Sequence, residues 1–251
     1  MLTALLLLAQ SERTSEVMHW QVLGVDRTAV VTRPAATTTK SPVVFAFHGH
    51  GGSSRNAMRS FKLETAFPEA IMVYPQGLNI AGRTDPEGKK PGWQKSVGEV
   101  EDRDLKFFDA MAASLLDSRA DKSRVYVMGH SNGGAFTYLL WAERGDMIAA
   151  IGPSSAGAGR QLRNAKPMPI FAIMGEKDPI VPYAGQMASF KNCLKINGQT
   201  ASDETVDGLY HRYTKAGAAE SIAYILPGGH TFESVTIPEM VAFFKRHSLG
   251  Q

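Results

Sequence analysis

The chain has 251 residues, of which 43% are hydrophobic and 20% are charged. This content supports one sizeable core and excludes a largely disordered chain. The net charge of +3 comes from interleaved acidic and basic residues, without the basic run that a nucleic-acid-binding face needs, so no nucleic-acid partner is expected. The single cysteine, Cys193, allows neither an internal disulfide nor a thiolate metal site, and its apolar helical setting indicates a small buried hydrophobe.

The first ten residues, MLTALLLLAQ, contain an apolar run that is too short to span a membrane as a helix. The run resembles the apolar part of a secretory signal peptide, ending in a small residue suited to cleavage, but it lacks the basic residues that normally precede that part. We therefore predict that residues 1–10 are the remnant of a signal peptide and that the protein is secreted or periplasmic, with no membrane association. A truncated or misassigned start is the alternative. Residues 16–251 are predicted to form a single domain.

The first third of the chain predicts strands of two kinds. The alternating segments VMHWQVLGV and RTAVVTR predict an antiparallel hairpin around residues 24–26. After a polar segment at residues 34–42, the continuous apolar run PVVFAF is typical of a strand buried on both faces. A helix is predicted over SSRNAMRSFKLETAF and a strand over AIMVYP, followed by a long loop rich in Gly, Pro and Lys at residues 76–97.

The rest of the chain alternates helices with apolar strands. Helices are predicted over EDRDLKFFDAMAASLLDS, NGGAFTYLLWAER, YAGQMASFKNCLKI and IPEMVAFFKRH, and strands over RVYVM, MIAAIG, PIFAIM and SIAYIL. This alternation predicts an α/β fold in which a mostly parallel sheet is covered by helices on both faces. The loops that follow the C-terminal ends of the strands are then the expected place for chemistry.

The segment VMGHSNGG joins a predicted strand to a predicted helix and places Ser131 between Gly129 and Gly133. A G-x-S-x-G pattern in this position is typical of a nucleophile elbow, in which the glycines make room for a strained turn that exposes the serine hydroxyl. The backbone N–H of Asn132 would then face an oxyanion. The alternative is that Ser131 only caps the following helix.

Two further loops carry residues that fit with Ser131. Asp178 lies between PIFAIM and a proline, and His230 lies in the glycine-flanked LPGGHTF after SIAYIL. Taken singly, Asp178 is better explained by an Asx turn, and His230 by a surface histidine. However, the order Ser131, Asp178, His230, each after a separate strand, is the order of the α/β-hydrolase triad. It predicts Ser131 as the nucleophile, His230 as the general base and Asp178 as the acid that orients it.

The first buried strand ends in a second glycine-rich loop, FAFHGHGGSS. In α/β-hydrolases such a loop supplies the other oxyanion donor, here the backbone N–H of His50, with Gly51 as the alternative. The side chains of His48, His50 and His130 also suggest a metal site. Because no Asp or Glu adjoins them in the sequence and imidazole ligands need an ordered set of partners, we predict neither a metal nor a cofactor.

With these motifs the sequence resembles the polyhydroxybutyrate depolymerase and feruloyl esterase family, small secreted α/β-hydrolases of the carbohydrate-esterase type. The resemblance implies the triad and oxyanion donors named above and a substrate pocket lined by Trp93, Gln76 and Phe232. The chain departs from many relatives at His50, where a cysteine is frequent, and at Phe232, where a tryptophan is common. The resemblance runs from about residue 43 to the end and rests on FHGHGGS, VYPQGL, GWQ, DRDLKFFDAM, GHSNGGAFTYLL, AAIGPSSA, MGEKDPIVPYAG and GGHTF.

The sequence thus predicts a serine carboxylic-ester hydrolase that works through an acyl-enzyme. Its expected substrates are feruloyl or acetyl esters of plant cell walls, or polyester oligomers, and the loop at residues 76–97 is expected to choose among them. Two alternatives stay open. One is a serine peptidase similar to prolyl oligopeptidase, which shares the elbow but usually brings a large additional domain. The other is an inactive hydrolase fold that only binds, although a binding module has no need of all three triad groups.

Overall fold

The computed structural model describes residues 13–35, 39–117 and 119–250. The predicted signal segment at residues 1–10 lies outside these ranges. Within them the strands are β1 (Thr14–Val22), β2 (Val25–Arg33), β3 (Ser41–Phe47), β4 (Ile71–Pro75), β5 (Leu78–Asn79), β6 (Pro91–Gly92), β7 (Ala120–His130), β8 (Ala150–Ser154), β9 (Ile170–Gly175), β10 (Glu204–Asp207), β11 (Tyr210–Tyr213) and β12 (Ser221–Leu226). The α-helices are α1 (Ser54–Phe61), α2 (Leu63–Ala66), α3 (Arg103–Leu115), α4 (Asn132–Arg144), α5 (Tyr183–Ile196) and α6 (Ile237–Lys245).

One ten-stranded sheet runs through the described part of the chain in the order β1-β2-β4-β3-β7-β8-β9-β12-β11-β10. Its six central strands, from β4 to β12, pair in parallel with their neighbours. Antiparallel strands flank them: β1 and β2 at one edge, β11 and β10 at the other. The predicted mostly parallel sheet with an N-terminal antiparallel hairpin is confirmed.

The core lies on both faces of the sheet, as the continuous apolar run in β3 predicts. Phe45 and Phe47 belong to the hydrophobic cluster that α3 and α4 cover, whereas Val44 and Ala46 belong to the cluster covered by α1 and α6. This division follows from strand geometry, because successive side chains point to opposite faces. Each of these four residues is completely buried. In the described ranges, no helix is long and apolar enough to cross a membrane.

Two parts of the fold differ from the sequence prediction. The helix predicted over residues 53–67 is broken at Lys62, whose φ of 53° is left-handed and separates α1 from α2. No glycine or proline marks this break in the sequence. The hairpin of β10 and β11 was not predicted at all, although Asp207, the last residue of β10, is followed directly by Gly208, and an Asp-Gly pair is a known hairpin signal.

Candidate active site

Because the central strands are parallel, their C-terminal ends meet at one edge of the sheet. The loop after β3 holds His50, the end of β7 leads to Ser131, and the loops after β9 and β12 hold Asp178 and His230. Since β3, β7, β8, β9 and β12 are consecutive neighbours, these four residues come from adjacent positions along that edge. The topology therefore brings the predicted site residues together.

Ser131 occupies a strained turn between β7 and α4, with φ 57° and ψ −120°. A non-glycine residue in such a conformation costs about 1–3 kcal/mol and persists only where its surroundings impose it. Its N–H donates to the carbonyl of Ser154 at 2.8 Å. A Cβ at Gly129 would lie 2.5 Å from the carbonyl carbon of Gly133, and a Cβ at Gly133 would overlap the carbonyl oxygen of Phe47. Both glycines are therefore required by close backbone contacts.

His230 connects the other two predicted triad residues. Its Nδ1 lies 2.7 Å from Oδ2 of Asp178, and its Nε2 lies 2.8 Å from Oγ of Ser131. A carboxylate only accepts hydrogen bonds, so Nδ1 carries the proton and the neutral imidazole presents Nε2 as an acceptor to the serine O–H. The arrangement can move a proton from Ser131 to His230 while Asp178 stabilises the charge that develops.

The carboxylate of Asp178 is buried and accepts several hydrogen bonds. The backbone N–H groups of Ile180 and Val181 each donate to Oδ1 at 2.8 Å. Burial raises the pKa of Asp178, but the hydrogen bonds from His230 and from these two N–H groups outweigh it, so the net pKa is lower than that of an ordinary aspartate. Asp178 therefore stays ionised at neutral pH.

The loop after β3 approaches the serine closely, because a Cβ at Gly49 would lie 3.5 Å from Cβ of Ser131. The N–H of Gly51 donates to the carbonyl of Pro91 at 2.7 Å, so it is not free for an oxyanion. The backbone N–H of His50 is the remaining donor predicted in this loop. The imidazole of His50 lies 3.2 Å from the Asp85 carboxylate, which attaches the loop to the long segment after β4.

Asn132 begins α4, so its backbone N–H lies at a helix N-terminus, where no carbonyl of the helix can accept from it. Its side chain forms hydrogen bonds with a different part of the chain. The Nδ2 group donates to the carbonyl of Trp93 at 2.9 Å, and Oδ1 accepts from the N–H of Trp93 at 2.7 Å. The amide side chain therefore pairs with the backbone of the long loop and keeps that loop against the elbow.

Trp93 does not line a pocket, in contrast to what the resemblance implies. Its side chain is completely buried, stacks on Phe136 with ring centroids 5.5 Å apart, and donates its indole N–H to the carbonyl of His48 at 2.8 Å. A tryptophan that is 0% exposed cannot contact a substrate in this structure. Its observed contacts support the backbone of the loop that precedes His50.

Gln76 and Phe232, the other two predicted pocket residues, differ in what their side chains contact. The side chain of Gln76 is partly buried and occupied by protein partners, because Oε1 accepts from the N–H of Ser54 at 3.0 Å and Nε2 donates to the carbonyl of Gly77 at 3.2 Å. Phe232 is half-buried, packs on Phe61 and His130, and follows His230 by two positions. Of the three predicted pocket residues, Phe232 is therefore the one whose side chain is not occupied by hydrogen bonds to the protein or completely buried.

The histidines that suggest a metal in the sequence have protein partners instead. Nδ1 of His48 donates to the carbonyl of Gly49 at 2.7 Å, and its Nε2 accepts from the N–H of Gly77 at 3.0 Å. Burial lowers the pKa of His48 to about 4, and burial with the neighbouring His230 lowers that of His130 to about 4, so both are neutral at pH 7. Among the described residues, no group of three or more His, Cys, Asp or Glu side chains is placed to hold a metal ion.

The loop at residues 76–97 is anchored at both ends by a buried ion pair that the sequence did not predict. Nη2 of Arg27 lies 2.8 Å from Oδ1 of Asp104 and also donates to the carbonyl of Gln76 at 3.3 Å. The N–H of Gln94 donates to Oδ2 of the same aspartate at 2.8 Å. Farther along the loop, the guanidinium of Arg83 donates to the carbonyl of Ile180 at 2.7 Å. The loop is thus attached to the oxyanion side and to the Asp178 side of the site.

Most of the chain is similar to a known protein family. Residues 27–225, which run from within β2 to within β12 and contain Ser131 and Asp178 but not His230, match the model of the family described as phospholipase/carboxylesterase. The chain belongs to the phospholipase/carboxylesterase family. The predicted membership in a family of α/β-hydrolase esterases is confirmed at this level.

Named relatives of this carboxylesterase-family chain are esterases of several kinds. The bifunctional acetylxylan esterase/xylanase XynS20E of Neocallimastix patriciarum is 27% identical over 175 residues, 67% of this chain and 24% of the relative. Cutinase 1 of Thermobifida cellulosilytica is 36% identical over 100 residues, 40% of this chain and 37% of the relative. Feruloyl esterase B of Piromyces equi is 27% identical over 135 residues, 44% of this chain and 25% of the relative. The chain spans less than half the length of these curated relatives.

A solved structure supports the fold over nearly the whole molecule. The acetyl xylan esterase from Aspergillus awamori superposes with a TM-score of 0.69, covering 92% of this chain and 99% of that chain at 14% sequence identity. At this identity the likeness concerns the fold alone. It confirms the predicted α/β-hydrolase fold of this carboxylesterase-family member.

Proposed function

We propose that the protein is a serine carboxylic-ester hydrolase in which Ser131, His230 and Asp178 act as a catalytic triad. The observation that carries the proposal is the continuous path of hydrogen bonds from Oγ of Ser131 through the imidazole to the Asp178 carboxylate, with contacts of 2.8 and 2.7 Å. Membership in the phospholipase/carboxylesterase family supports ester hydrolysis as the reaction. The strained backbone of Ser131 supports it as well, since strain of this kind clusters at active sites.

In the proposed reaction, Oγ of Ser131 attacks the ester carbonyl carbon while its proton moves to Nε2 of His230. The backbone N–H groups of His50 and Asn132 stabilise the tetrahedral oxyanion, each contributing about 3–4 kcal/mol to the transition state. The intermediate collapses, the ester C–O bond breaks, and the leaving alkoxide takes the proton from His230. Water then loses a proton to His230 and attacks the acyl-enzyme, which releases the carboxylic acid and restores Ser131.

We propose esters of plant cell-wall polymers or polyester oligomers as the substrate class. The support is that relatives of the chain are named acetylxylan esterase, feruloyl esterase and cutinase. The half-buried ring of Phe232, which packs against His130 one residue before Ser131, would contact the acyl group. We further propose that residues 16–251 act as one catalytic domain and that the protein is exported, the latter on the apolar run at residues 2–9.

Substitution of the serine tests the proposed reaction. Ser131→Ala should abolish hydrolysis of p-nitrophenyl acetate, p-nitrophenyl butyrate and methyl ferulate, because no nucleophile remains to form the acyl-enzyme. Ser114→Ala is the matched control, since Ser114 lies on α3 and accepts a hydrogen bond from Trp20. Activity retained in Ser131→Ala, or cleavage of peptide substrates in preference to esters by the wild-type protein, would contradict the proposal.

A further inference from the structure

We propose that Gln186 is a positioning residue of the triad that holds the Asp178 carboxylate in place for His230, a role that rests on the proposed function. Gln186 lies in the first turn of α5 and is only 1% exposed. Its Nε2 donates to Oδ2 of Asp178 at 3.1 Å and to the carbonyl of Val181 at 2.7 Å. Both N–H bonds of the amide are thus directed at the segment that carries the triad acid.

The two carboxylate oxygens of Asp178 have different partners. Oδ1 accepts only from backbone N–H groups among these contacts, those of Ile180 and Val181. Oδ2 is the oxygen that faces the triad histidine, and it accepts from His230 and from Gln186. Gln186 therefore binds the same atom that must stabilise the imidazolium. A hydrogen bond to an ionised group is stronger than one between neutral groups, so this contact contributes to the orientation of the reacting pair.

The orientation of the Gln186 amide is determined by its neighbours. If the oxygen and nitrogen were exchanged, Oε1 would face the Asp178 carboxylate and the Val181 carbonyl, two groups that only accept. In the orientation described, Oε1 is buried and has no hydrogen-bond partner among the residues that the structure describes. A buried acceptor without a hydrogen-bond partner is unfavourable for folding. Such unpaired groups are rare in proteins and are expected mainly where a residue has a functional role.

A purely structural role would be to join the turn at residues 178–181 to α5. The two roles differ in what they predict for catalysis. Gln186→Met keeps the side-chain length but removes both N–H donors. If Gln186 positions Asp178, kcat should fall about 10- to 100-fold, the range expected for losing a hydrogen bond to a charged group. KM should stay within about twofold, because the lost interaction acts mainly in the transition state.

The chain offers a matched control in Gln199, which is 3% exposed. Its Nε2 donates to the carbonyl of Tyr213 at 2.7 Å, and its Oε1 accepts from Oγ of Ser221 at 2.6 Å. Gln199→Met therefore removes comparable buried hydrogen bonds without touching the triad. It should lower Tm while leaving kcat within about twofold of the wild type. Equal kcat for the Gln186 and Gln199 variants would overturn the inference.

A double-substitution cycle with Asp178→Asn shows whether Gln186 acts through the carboxylate. Groups that act as a unit are strongly non-additive, so Gln186→Met should change the residual kcat of the Asp178→Asn protein by less than about twofold. The same 10- to 100-fold loss in both backgrounds would overturn the inference. If Gln186→Met does not fold, Gln186→Leu replaces it, since its apolar side chain also offers no donor and should lower kcat by a similar factor.

The rate at which a fluorophosphonate labels Ser131 serves as a second readout, because labelling needs an activated serine but no particular ester. Rapid labelling without hydrolysis of any ester in the panel would contradict the proposed function only. Even if no ester is hydrolysed, the positioning role is supported when the fluorophosphonate labels Gln186→Met more slowly than the wild type and labels Gln199→Met at the wild-type rate. Equal labelling rates for the two variants would contradict the positioning role, whichever reaction the serine performs.

Discussion

At the scale of single residues, the site depends on glycines as much as on residues with reactive side chains. Ser131 adopts a left-handed φ, and the glycines before and after it allow neighbouring backbone segments to approach. At Gly133, a Cβ would meet the carbonyl oxygens of Phe47 and His48, which lie at the end of β3 and directly after it, where a backbone shift would be costly. The position of the serine is therefore coupled to the oxyanion loop through Gly133.

Gly133→Ala should lower the free energy of unfolding by about 2 kcal/mol or more, because overpacking against fixed backbone is costly. It should also reduce esterase activity, since the elbow can relieve the overlap only by moving away from the oxyanion loop. Gly185→Ala is the control: no atom lies within 4 Å of its added Cβ, and a helical glycine replaced by alanine gains about 0.5–1 kcal/mol. Urea unfolding measures both, and equal stabilities would contradict the prediction.

The proximity of Ser131, Asp178 and His230 was predictable, because their order and their positions after separate strands leave a pattern in the sequence. Their partners were not. Gln186 has no motif of its own; a polar residue at a buried position of a helix is the only signal, and the sequence does not tell which group it bonds. For Trp93, in contrast, a contact was predicted that the structure does not show: the resemblance implied a position in the pocket wall, but the ring is completely buried. Side-chain direction and contact partners arise from packing, which a single sequence does not specify.

At the scale of elements, the long loop at residues 76–97 depends on a buried charge. Arg27 on β2 and Asp104 on α3 are each 1% exposed and bond to the two ends of the loop, near Gln76 and Gln94. The length of the loop and its glycines were visible in the sequence. Its shape was not, because it depends on an ion pair between residues 77 positions apart. The unpredicted break at Lys62 and the β10–β11 hairpin likewise depend on local backbone geometry.

Arg27→Met should lower the free energy of unfolding by about 3 kcal/mol, because it leaves the buried Asp104 carboxylate with only the Arg103 guanidinium, 3.9 Å away, as a cation. The loop should become more accessible, so proteolysis within residues 76–97 should accelerate. Arg144→Met is the matched control. It breaks a partly exposed ion pair with Asp109 and should cost no more than about 1 kcal/mol. Similar losses for both variants, or an unchanged cleavage rate, would contradict the anchoring role.

At the scale of the whole molecule, two neutral histidines, His48 buried and His130 partly buried, couple the fold to pH. His48 lies under the oxyanion loop and His130 lies beside His230, so the C-terminal edge of the sheet is where protonation opposes folding. The mostly parallel sheet was predictable from the alternation of apolar strands and helices. The neutrality of these histidines was not, because it follows from the packing around each imidazole and, for His130, from the neighbouring His230.

The pH dependence of stability follows from their pKa values. Burial lowers the pKa of each from an unfolded value near 6.5 to about 4, so the unfolded chain binds protons first as the pH falls. Their contribution is therefore fully present above about pH 6.5 and is lost between about pH 6.5 and 4. In this range the free energy of unfolding should fall by up to about 1.4 kcal/mol per pH unit for each histidine.

Substitution of the two histidines tests this pH dependence. His48→Gln, which can still donate and accept a hydrogen bond, should reduce the slope by up to about 1.4 kcal/mol per pH unit, and the double variant His48→Gln with His130→Gln should reduce it by about twice as much. Urea unfolding between pH 4.5 and 7 measures the slopes, and a slope unchanged in the double variant would contradict the prediction.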